Sequence, residues 1–448
     1  MRTPICDFAR RYAQSGALRL HMPGHKGNGP LGIEQLDITE IDGADSLYEA
    51  DGIIRESEES ASALFGCPTY YSTEGSSQCI RAMLYLATLC AKQQGRRPLI
   101  AAARNVHKTF LSAAALLDLE VAWLTPQQPD SYLSCRLSAQ ELEEQLTAMA
   151  EKPAAVYVTS PDYLGNVADI AALSAVCHRF GALLLVDNAH GAYLRFLQPS
   201  RHPVDLGADL CCDSAHKTLP VLTGGAYLHI APAAPALCTA QAKNALALFG
   251  STSPSYLILQ SLDAANEYLE QYDAALADFV PQVQALKDRL TAHGYALRGS
   301  EPLKLTIAAK PYGCEGVELA HILEQQSLVC EFADPDFLVL MLTPAIGTDG
   351  LHCLEKALLS IEKRSPITAA PPRFHSCERV LSIREAMLAL CEVVPVGESA
   401  GRILAAASVG CPPAVPIVVC GERIDQEALH CFAYYGIEEC TVVAQPTE

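Results

Sequence analysis

The stretch that decides the fold runs from residue 154 to residue 187 and reads AAVYVTSPDYLGNVADIAALSAVCHRFGALLLVD. An apolar, β-branched run ends at a turn over residues 160–162. A helical pattern begins after Asp169, a typical N-cap residue, and stops at Gly181. A second apolar run then leads into Asp187. Strand, helix and strand in this order predict a parallel β-α-β unit.

The same alternation extends over residues 98–230. Six strand candidates alternate there with helical patterns: Leu99–Ala103, Glu120–Leu124, Ala154–Thr159, Ala182–Asp187, Asp209–Ser214 and Gly225–Ile230. This predicts an α/β fold with a mostly parallel sheet covered on both faces. Because ligands sit at the carboxyl ends of strands in such sheets, the neighbourhoods of Thr159, Asp187 and Ser214 are candidate site positions.

The composition is typical of a globular enzyme, with 448 residues, 50% hydrophobic and 19% charged. A formal net charge of −19 opposes binding to nucleic acid or anionic membranes. Residues 1–20 carry scattered charges and no long apolar run, unlike a signal peptide, so we expect a cytoplasmic protein. The 18 cysteines are then expected as free thiols, and without a C-x-x-C pair we expect no metal site.

Breaks along the chain predict four segments. A long helical pattern over residues 261–290 is expected to be interrupted at Pro281, and Pro-rich residues 364–373 (RSPITAAPPR) are typical of a linker. The predicted segments are an N-terminal arm (1–40), a cofactor-binding large domain (41–260), a small α/β domain (261–365) and a C-terminal domain (366–448).

The stretch that carries chemistry is ADLCCDSAHKTLPVLTGGAYLHI, residues 208–230. Its strand delivers Ser214, His216 and Lys217 into a turn. A lysine just past a buried strand suits a Schiff base to an aldehyde cofactor, because a partly desolvated amine loses its proton more readily. Taken alone, the pattern favours the alternative of a surface-loop lysine.

Three further segments supply matching groups. Asp187, at the end of an apolar strand, offers the carboxylate that a pyridoxal ring needs at its nitrogen. His107 follows another strand, where an imidazole can lie over a cofactor ring. Small and hydroxyl-bearing residues open the helix after residue 72, where N–H groups and the helix dipole favour phosphate: Thr73, Gly75, Ser76 and Ser77. A capping aspartate, a structural histidine and an ordinary capped helix are the alternatives.

Together and in this order, these segments resemble the ornithine/lysine/arginine decarboxylase family of pyridoxal-phosphate enzymes, over nearly the whole chain. HMPGHKG (residues 21–27) and GRILAAASVGCPPAVPIVVCGE (residues 401–422) separate this family from other enzymes of the fold. The resemblance implies PLP fold type I, which is aspartate-aminotransferase-like. It implies a large domain with a mostly parallel seven-stranded sheet and smaller α+β C-terminal domains, in a short form without the N-terminal wing domain.

The resemblance also implies roles for individual residues. Lys217 is the Schiff-base lysine, Asp187 pairs with the pyridine nitrogen, Ala189 packs beneath the ring and His107 stacks above it. The residues implied to hold the phosphate, beside Gly75, are Ser76, Ser77, Ser214 and His216. The segment 251–255 is similar to the part that reaches the partner subunit's phosphate. Thr252 and Ser253 are therefore expected to serve the other site of a homodimer.

The implied activity is pyridoxal-phosphate-dependent decarboxylation of lysine, arginine or ornithine to the amine and CO2, in polyamine biosynthesis or, as the alternative role, in acid consumption. Four residues depart from the usual family residues: Glu74 (usually Asn), Asn188 (Glu), Tyr193 (His) and Gly224 (Gln). A fifth departure is Pro-Pro-Ala at 412–414 in place of Pro-Pro-Gly. An aminotransferase, a cysteine-desulfurase-like lyase and a catalytically degenerate regulatory paralogue are the alternatives.

A cationic substrate side chain needs carboxylate partners. The acidic residues Glu40, Asp42, Asp45 and Glu49 are the hypothetical source. A solvated acidic surface is the alternative interpretation of this segment.

Overall fold

The fold comes from a computed structural model that describes residues 2–127, 131–407, 409–411 and 415–445. The helices of these residues are α1 (Pro4–Gln14), α2 (Ile53–Phe65), α3 (Gly75–Gln93), α4 (Lys108–Leu117), α5 (Ala139–Ala148), α6 (Ile170–Arg179), α7 (Ala215–Thr218), α8 (Ala236–Ala247), α9 (Tyr256–Leu269), α10 (Tyr272–His293), α11 (Gly316–Glu324), α12 (Gly347–Leu359), α13 (Ile383–Met387) and α14 (Gln426–Tyr434). The strands are β1 (Thr69–Ser72), β2 (Leu99–Ala103), β3 (Glu120–Leu124), β4 (Ala155–Thr159), β5 (Leu183–Asp187), β6 (Leu210–Asp213), β7 (Ala226–Ile230), β8 (Ala296–Arg298), β9 (Lys304–Ala308), β10 (Phe332–Ala333), β11 (Phe337–Met341), β12 (Cys391–Pro395), β13 (Val409–Cys411), β14 (Val415–Val418) and β15 (Glu439–Val443).

The main sheet has seven strands in the order β1-β7-β6-β5-β4-β2-β3. The pairs β2–β3, β2–β4 and β5–β6 are parallel, whereas β7 runs antiparallel to both of its neighbours. The alternation of strand and helix therefore gives the mostly parallel α/β sheet that the sequence predicts.

All six predicted strands are confirmed, each within one residue at either end. The seventh strand, β1, was not located from its residues. It is four residues long and pairs antiparallel with β7, so it lies outside the strand-helix alternation from which the other six were recognised.

The chain consists of two compact units. Unit 1 consists of Met1–Arg97 and Ile170–Ala277. Helix α3 supplies a long buried face that packs against α8 and against strands β6 and β7. This packing fixes the start of α3, and the parallel pairing of β5 with β6 aligns the carboxyl ends of those two strands.

Unit 2 consists of Pro98–Asp169 and Asp278–Glu448. It contains an antiparallel four-stranded sheet in the order β10-β11-β9-β8 and, further along the chain, the antiparallel pair β12–β15. Apolar side chains of α14, β14 and β15 form a buried core in the C-terminal part, including Ile417, Phe432 and Val442. Residues 362–378 have no helix or strand, and the linker predicted within them stays a prediction.

The predicted interruption at Pro281 is wrong. Helix α10 continues through Pro281, and the break in the helical pattern falls at residues 270–271, between α9 and α10. A proline removes one backbone hydrogen bond from a helix. Burial of Val283, Leu286 and Leu290 stabilises the turns that follow, so the helix does not end there.

The cysteines whose side chains the structure describes, a set that leaves out Cys411, are free thiols, as predicted. The predicted segment boundaries near residues 40, 260 and 365 stay predictions. Among the helices that the structure describes, none combines the length and apolar character needed to cross a bilayer.

Candidate active site

Asp187 stands at the carboxyl end of β5, and its side chain is 3% exposed. Its Oδ1 accepts a hydrogen bond from the backbone N–H of Ala189 at 3.2 Å and lies 3.7 Å from the Cys212 Sγ. The backbone N–H of Asn188 donates to the Cys212 carbonyl at 3.0 Å. These contacts hold a buried carboxylate at the edge of the sheet where the sequence predicts ligand binding. Ala189 is also buried beside it.

Lys217 lies in the single helical turn α7, directly after β6. Its Nζ is 3.0 Å from the Nε2 of His190, a side chain that is 6% exposed. The predicted Schiff-base lysine is therefore paired with a histidine from the turn that follows Asp187. The sequence patterns assign no role to His190. The signal that points to it is its place three residues after Asp187, at the edge of the sheet where ligands bind.

His216 is tied to the backbone of the loop before β7. Its backbone N–H donates to the Gly225 carbonyl at 3.2 Å, and its Nδ1 lies 2.9 Å from the same oxygen. Since a carbonyl oxygen only accepts, Nδ1 carries the proton. Burial lowers the pKa of His216, which favours the neutral ring and leaves Nε2 as an acceptor. A phosphate contact from this side chain would require the protonated ring.

The start of α3 carries the hydroxyls predicted to hold a phosphate. Ser214 Oγ donates to Ser76 Oγ at 2.8 Å, which joins the end of β6 to the first turn of α3. Ser77 follows in the same turn and is partly exposed. Thr73 has a buried Oγ1 without a hydrogen-bond partner in the described structure. The backbone N–H of Gly75, by contrast, donates to a protein carbonyl, that of residue 224, at 2.8 Å.

Four of the five departures from the family pattern lie in unit 1. Glu74 is exposed, so water screens its charge from an anion at the helix start. Gly224 has φ +98°, and a Cβ there would meet the Thr73 carbonyl oxygen at 3.0 Å, so this backbone does not accept the usual glutamine unstrained. Tyr193 is fully buried. The fifth departure, residues 412–414, lies outside the described residues.

The fourth, Asn188, belongs to a buried network beneath the turn. Its Nδ2 donates to Asp213 Oδ1 at 2.7 Å, while His202 Nε2 and His229 Nε2 each lie 3.1 Å from Asp213 Oδ2. Burial alone would raise the pKa of Asp213, but the two imidazoles bring it well below its ordinary value. An amide suits position 188 because a glutamate would place a second carboxylate against Asp213.

This edge of unit 1 fits pyridoxal phosphate. Lys217 offers the amine for the aldehyde, and Asp187 offers the buried carboxylate for the ring nitrogen. The hydroxyls of Ser76 and Ser214 at the start of a 19-residue helix suit a phosphate group. The orphaned Oγ1 of Thr73 adds a buried polar atom that has no protein partner.

His107 belongs to unit 2, where it caps α4. Its Nδ1 accepts a hydrogen bond from the backbone N–H of Thr109 at 3.2 Å and lies 2.9 Å from the Thr109 hydroxyl. These bonds fix the ring after β2. Arg104, three residues earlier, is 3% exposed and donates to Glu422 Oε2 at 3.2 Å.

Thr252 and Ser253 are exposed in the segment between α8 and α9. Their expected role in a partner's site stays a prediction.

The acidic segment has a structural use. Both carboxylate oxygens of Asp45 accept backbone N–H groups, among them those of Ser46, Gly52 and Ile54, which builds the turn before α2. Burial raises the pKa of Asp45, but these backbone donors bring it below its ordinary value. Asp45 therefore has its oxygens occupied within the chain, which supports the alternative interpretation of this segment.

Two family profiles match the sequence. Residues 3–350 match the profile described as Orn/Lys/Arg decarboxylase, major domain, and residues 378–442 match Orn/Lys/Arg decarboxylase, C-terminal domain. The protein described as Uncharacterized protein YaaO from Bacillus subtilis (strain 168) is 30% identical over 96% of this chain and 93% of its own length. The arginine decarboxylase of the same organism is 27% identical, over 95% and 92% respectively.

Solved structures share the fold. The Francisella novicida lysine decarboxylase LdcF has a TM-score of 0.79 at 15% identity, covering 99% of this chain and 81% of that chain. The constitutive lysine decarboxylase of E. coli has a TM-score of 0.75 at 16% identity, with coverages of 99% and 82%. The Sphingomonas wittichii serine palmitoyltransferase has a TM-score of 0.53 at 15% identity, over 68% of this chain and 75% of that one. These similarities confirm the predicted aminotransferase-like fold.

Proposed function

We propose that this chain removes the carboxylate of a basic amino acid, with arginine as the first candidate. The chain belongs to the Orn/Lys/Arg decarboxylase family and is a pyridoxal-phosphate-dependent decarboxylase. The observation that carries the proposal is the 3.0 Å pair of Lys217 and His190 at the strand edge that also bears Asp187. The family match covers both parts of the chain.

The residues assigned to the cofactor act on different parts of it. Lys217 would hold the aldehyde carbon, Asp187 the ring nitrogen, and Ser76 and Ser214 the phosphate. The bound cofactor supplies an acceptor for the electron pair left behind when the carboxylate departs. Asp187 supports that role because a buried carboxylate stabilises a positive charge on the ring nitrogen.

His190 and Lys217 can exchange a proton with each other. With 3.0 Å between Nζ and Nε2, the imidazole can accept a proton from the lysine ammonium and return it. Such an exchange prepares the uncharged amine that forms the covalent link. It also leaves a proton on one of the two side chains for the carbon that loses CO2.

The case for arginine rests on relatives. Two proteins that are 27% identical over 92% of their length, from Bacillus subtilis and Halalkalibacterium halodurans, carry the name arginine decarboxylase. The structural neighbours named as lysine decarboxylases are only 15–16% identical. The net charge of −19 favours the approach of a cationic substrate of either kind.

Product analysis tests the proposal. The purified chain with pyridoxal phosphate is incubated separately with arginine, lysine and ornithine, and the amine and CO2 are quantified. We expect agmatine from arginine at the highest kcat/KM. A preference for lysine or ornithine would replace the candidate substrate within the proposed class. Keto acid, sulfide from cysteine, or no product from any basic amino acid would contradict the proposal.

We further infer a homodimer that works in the cytoplasm and contributes to polyamine biosynthesis. The described cysteines are free thiols, which is typical of a reducing compartment. Exposed apolar side chains of the N-terminal segment support burial against a second copy: Leu18, Leu20, Met22 and Leu31.

A further inference from the structure

We propose that His375, Cys377 and Asp425 bind one zinc ion in the C-terminal part of unit 2. One ligand atom from each side chain lies within 4.8 Å of the other two, and His375 Nε2 is 2.6 Å from Asp425 Oδ2. Two ligand atoms on a tetrahedral zinc ion are about 3.3–3.8 Å apart, so small side-chain rotations bring the three atoms to that geometry. Imidazole, thiolate and carboxylate together form a ligand set that suits zinc.

Each ligand is held by the protein in the absence of an ion. Asp425 Oδ1 caps α14 by accepting the backbone N–H of Ala428 at 2.9 Å, so an ion would replace only the contact of Oδ2 with His375 Nε2. The backbone N–H of His375 donates to the Tyr132 hydroxyl at 3.1 Å. Cys377 packs against the buried apolar core of the C-terminal part. Such supporting contacts orient metal ligands and reduce the cost of assembling a site.

The charges balance when the thiol gives up its proton. Burial raises the pKa of Cys377 to about 12, so the free thiol is protonated at neutral pH. Zinc would form the Zn–S bond as the S–H proton passes to solvent, and the thiolate and the Asp425 carboxylate then neutralise the dication. The nearby guanidinium of Arg104 is paired with Glu422 at 3.2 Å, which reduces its repulsion of a cation.

The solvent exposure of its ligands distinguishes this site from a second group of similar composition. His202, Cys211 and Asp213 also lie together, but all three are fully buried, and the Asp213 carboxylate already has His202, His229 and Asn188 as partners. In contrast, the side chains of His375 and Asp425 are 39% and 41% exposed. An ion can therefore enter from solvent, and water can supply the fourth ligand.

The ion would connect two parts of the chain that are 50 residues apart. His375 and Cys377 lie in residues 362–378, which have no helix or strand, whereas Asp425 begins α14. A ligand that binds only the folded chain raises its stability, so we expect zinc to stabilise the C-terminal part.

Cobalt substitution tests the site on the holoenzyme. The protein is treated with a chelator, dialysed and titrated with Co²⁺, which reports tetrahedral coordination by visible bands and a thiolate ligand by a near-ultraviolet charge-transfer band. We expect both signals to saturate at one equivalent, zinc to remove them, and zinc to raise the melting temperature. A wild-type chain without these signals would overturn the proposal.

Matched variants locate the ligands. Cys377→Ser should lose the charge-transfer band, and His375→Asn should lose the visible bands of tetrahedral cobalt. Two variants are used so that the test still holds when one of them fails to fold. Cys391→Ser removes an exposed thiol outside the cluster and should bind cobalt as the wild type does. Cys211→Ala reports on the second group and should also bind normally. Unchanged binding in Cys377→Ser and His375→Asn, or loss only in Cys211→Ala, would contradict the proposed site.

Discussion

At the residue scale, the reactivity of the site depends on the pairing of Lys217 with His190. An isolated lysine is protonated at neutral pH and is a poor nucleophile. A buried imidazole 3.0 Å from Nζ gives the ammonium proton a nearby acceptor. Asp187 lies at the same sheet edge, where its Oδ1 accepts the backbone N–H of Ala189 and lies 3.7 Å from the Cys212 Sγ.

Replacing His190 separates proton transfer from cofactor binding. We expect His190→Phe to lower kcat by about 100-fold, the lower range for loss of a general acid–base group, while the near-visible absorbance of the bound cofactor persists. Steady-state kinetics and absorption spectra are the measurements. Lys217→Ala is the control and should lose both absorbance and turnover. An unchanged kcat in His190→Phe would remove this residue from the mechanism.

At the scale of elements, the C-terminal part supports the loop between β2 and α4. Arg104, which directly follows β2, donates to the carbonyl oxygens of Pro416 and Ile417 at 3.0 and 3.1 Å and to Glu422. Glu422 is also 2.7 Å from the backbone N–H of Val419. The Arg104–Glu422 pair thus anchors the loop that carries His107. This is a structural role for Glu422, the last residue of the segment 401–422.

The Arg104–Glu422 pair can be compared with an exposed pair of equal length. Both Arg104–Glu422 and Arg423–Glu378 measure 3.2 Å, but the side chains are 3% and 5% exposed in the first pair and 44% and 73% exposed in the second. We expect Glu422→Gln to lower the free energy of unfolding by about 3 kcal/mol, because it leaves a buried guanidinium without its counter-charge. Glu378→Gln should cost less than about 1 kcal/mol.

Urea unfolding followed by fluorescence and circular dichroism measures both variants. Because the family resemblance implies that His107 stacks above the cofactor ring, we also expect Glu422→Gln to reduce turnover. Equal stability of the two variants would show that burial of the pair does not matter.

At the scale of the whole molecule, the dimer is expected to complete each site. Thr252 and Ser253 are exposed within the chain, so the chain itself leaves them available for a second copy. Leu18 and Leu20 of the N-terminal segment are more than 80% exposed, and a second subunit would bury this apolar surface.

Subunit mixing tests shared sites. We expect Lys217→Ala chains to be inactive alone and Thr252→Ala/Ser253→Ala chains to be weakly active alone. Their co-expressed mixed dimers should regain turnover, since one site then has both intact contributions. Differently tagged chains allow the mixed dimer to be purified and assayed. A mixed dimer no more active than its parents would contradict a site shared between subunits.

Local patterns predicted much of the fold and part of the site. The six strands from β2 to β7 were found because each is a short apolar run between helical patterns, and the helix α6 because Asp169 and Gly181 frame it. The expected break at Pro281 failed, since burial of residues after it outweighs one lost hydrogen bond. Strand β1 was not predicted from the sequence because its pairing is antiparallel and non-local.

The sequence by itself determined the α/β class, the placement of Lys217 and Asp187 at strand ends and the family resemblance, because these depend on periodicity and on short-range order along the chain. Only the tertiary structure decided that His190 faces Lys217, that Asn188 and two histidines surround Asp213, and that His375 and Cys377 meet Asp425. These contacts join residues that are between 11 and 50 positions apart. No local pattern encodes such distances, since they arise from how strands and helices pack.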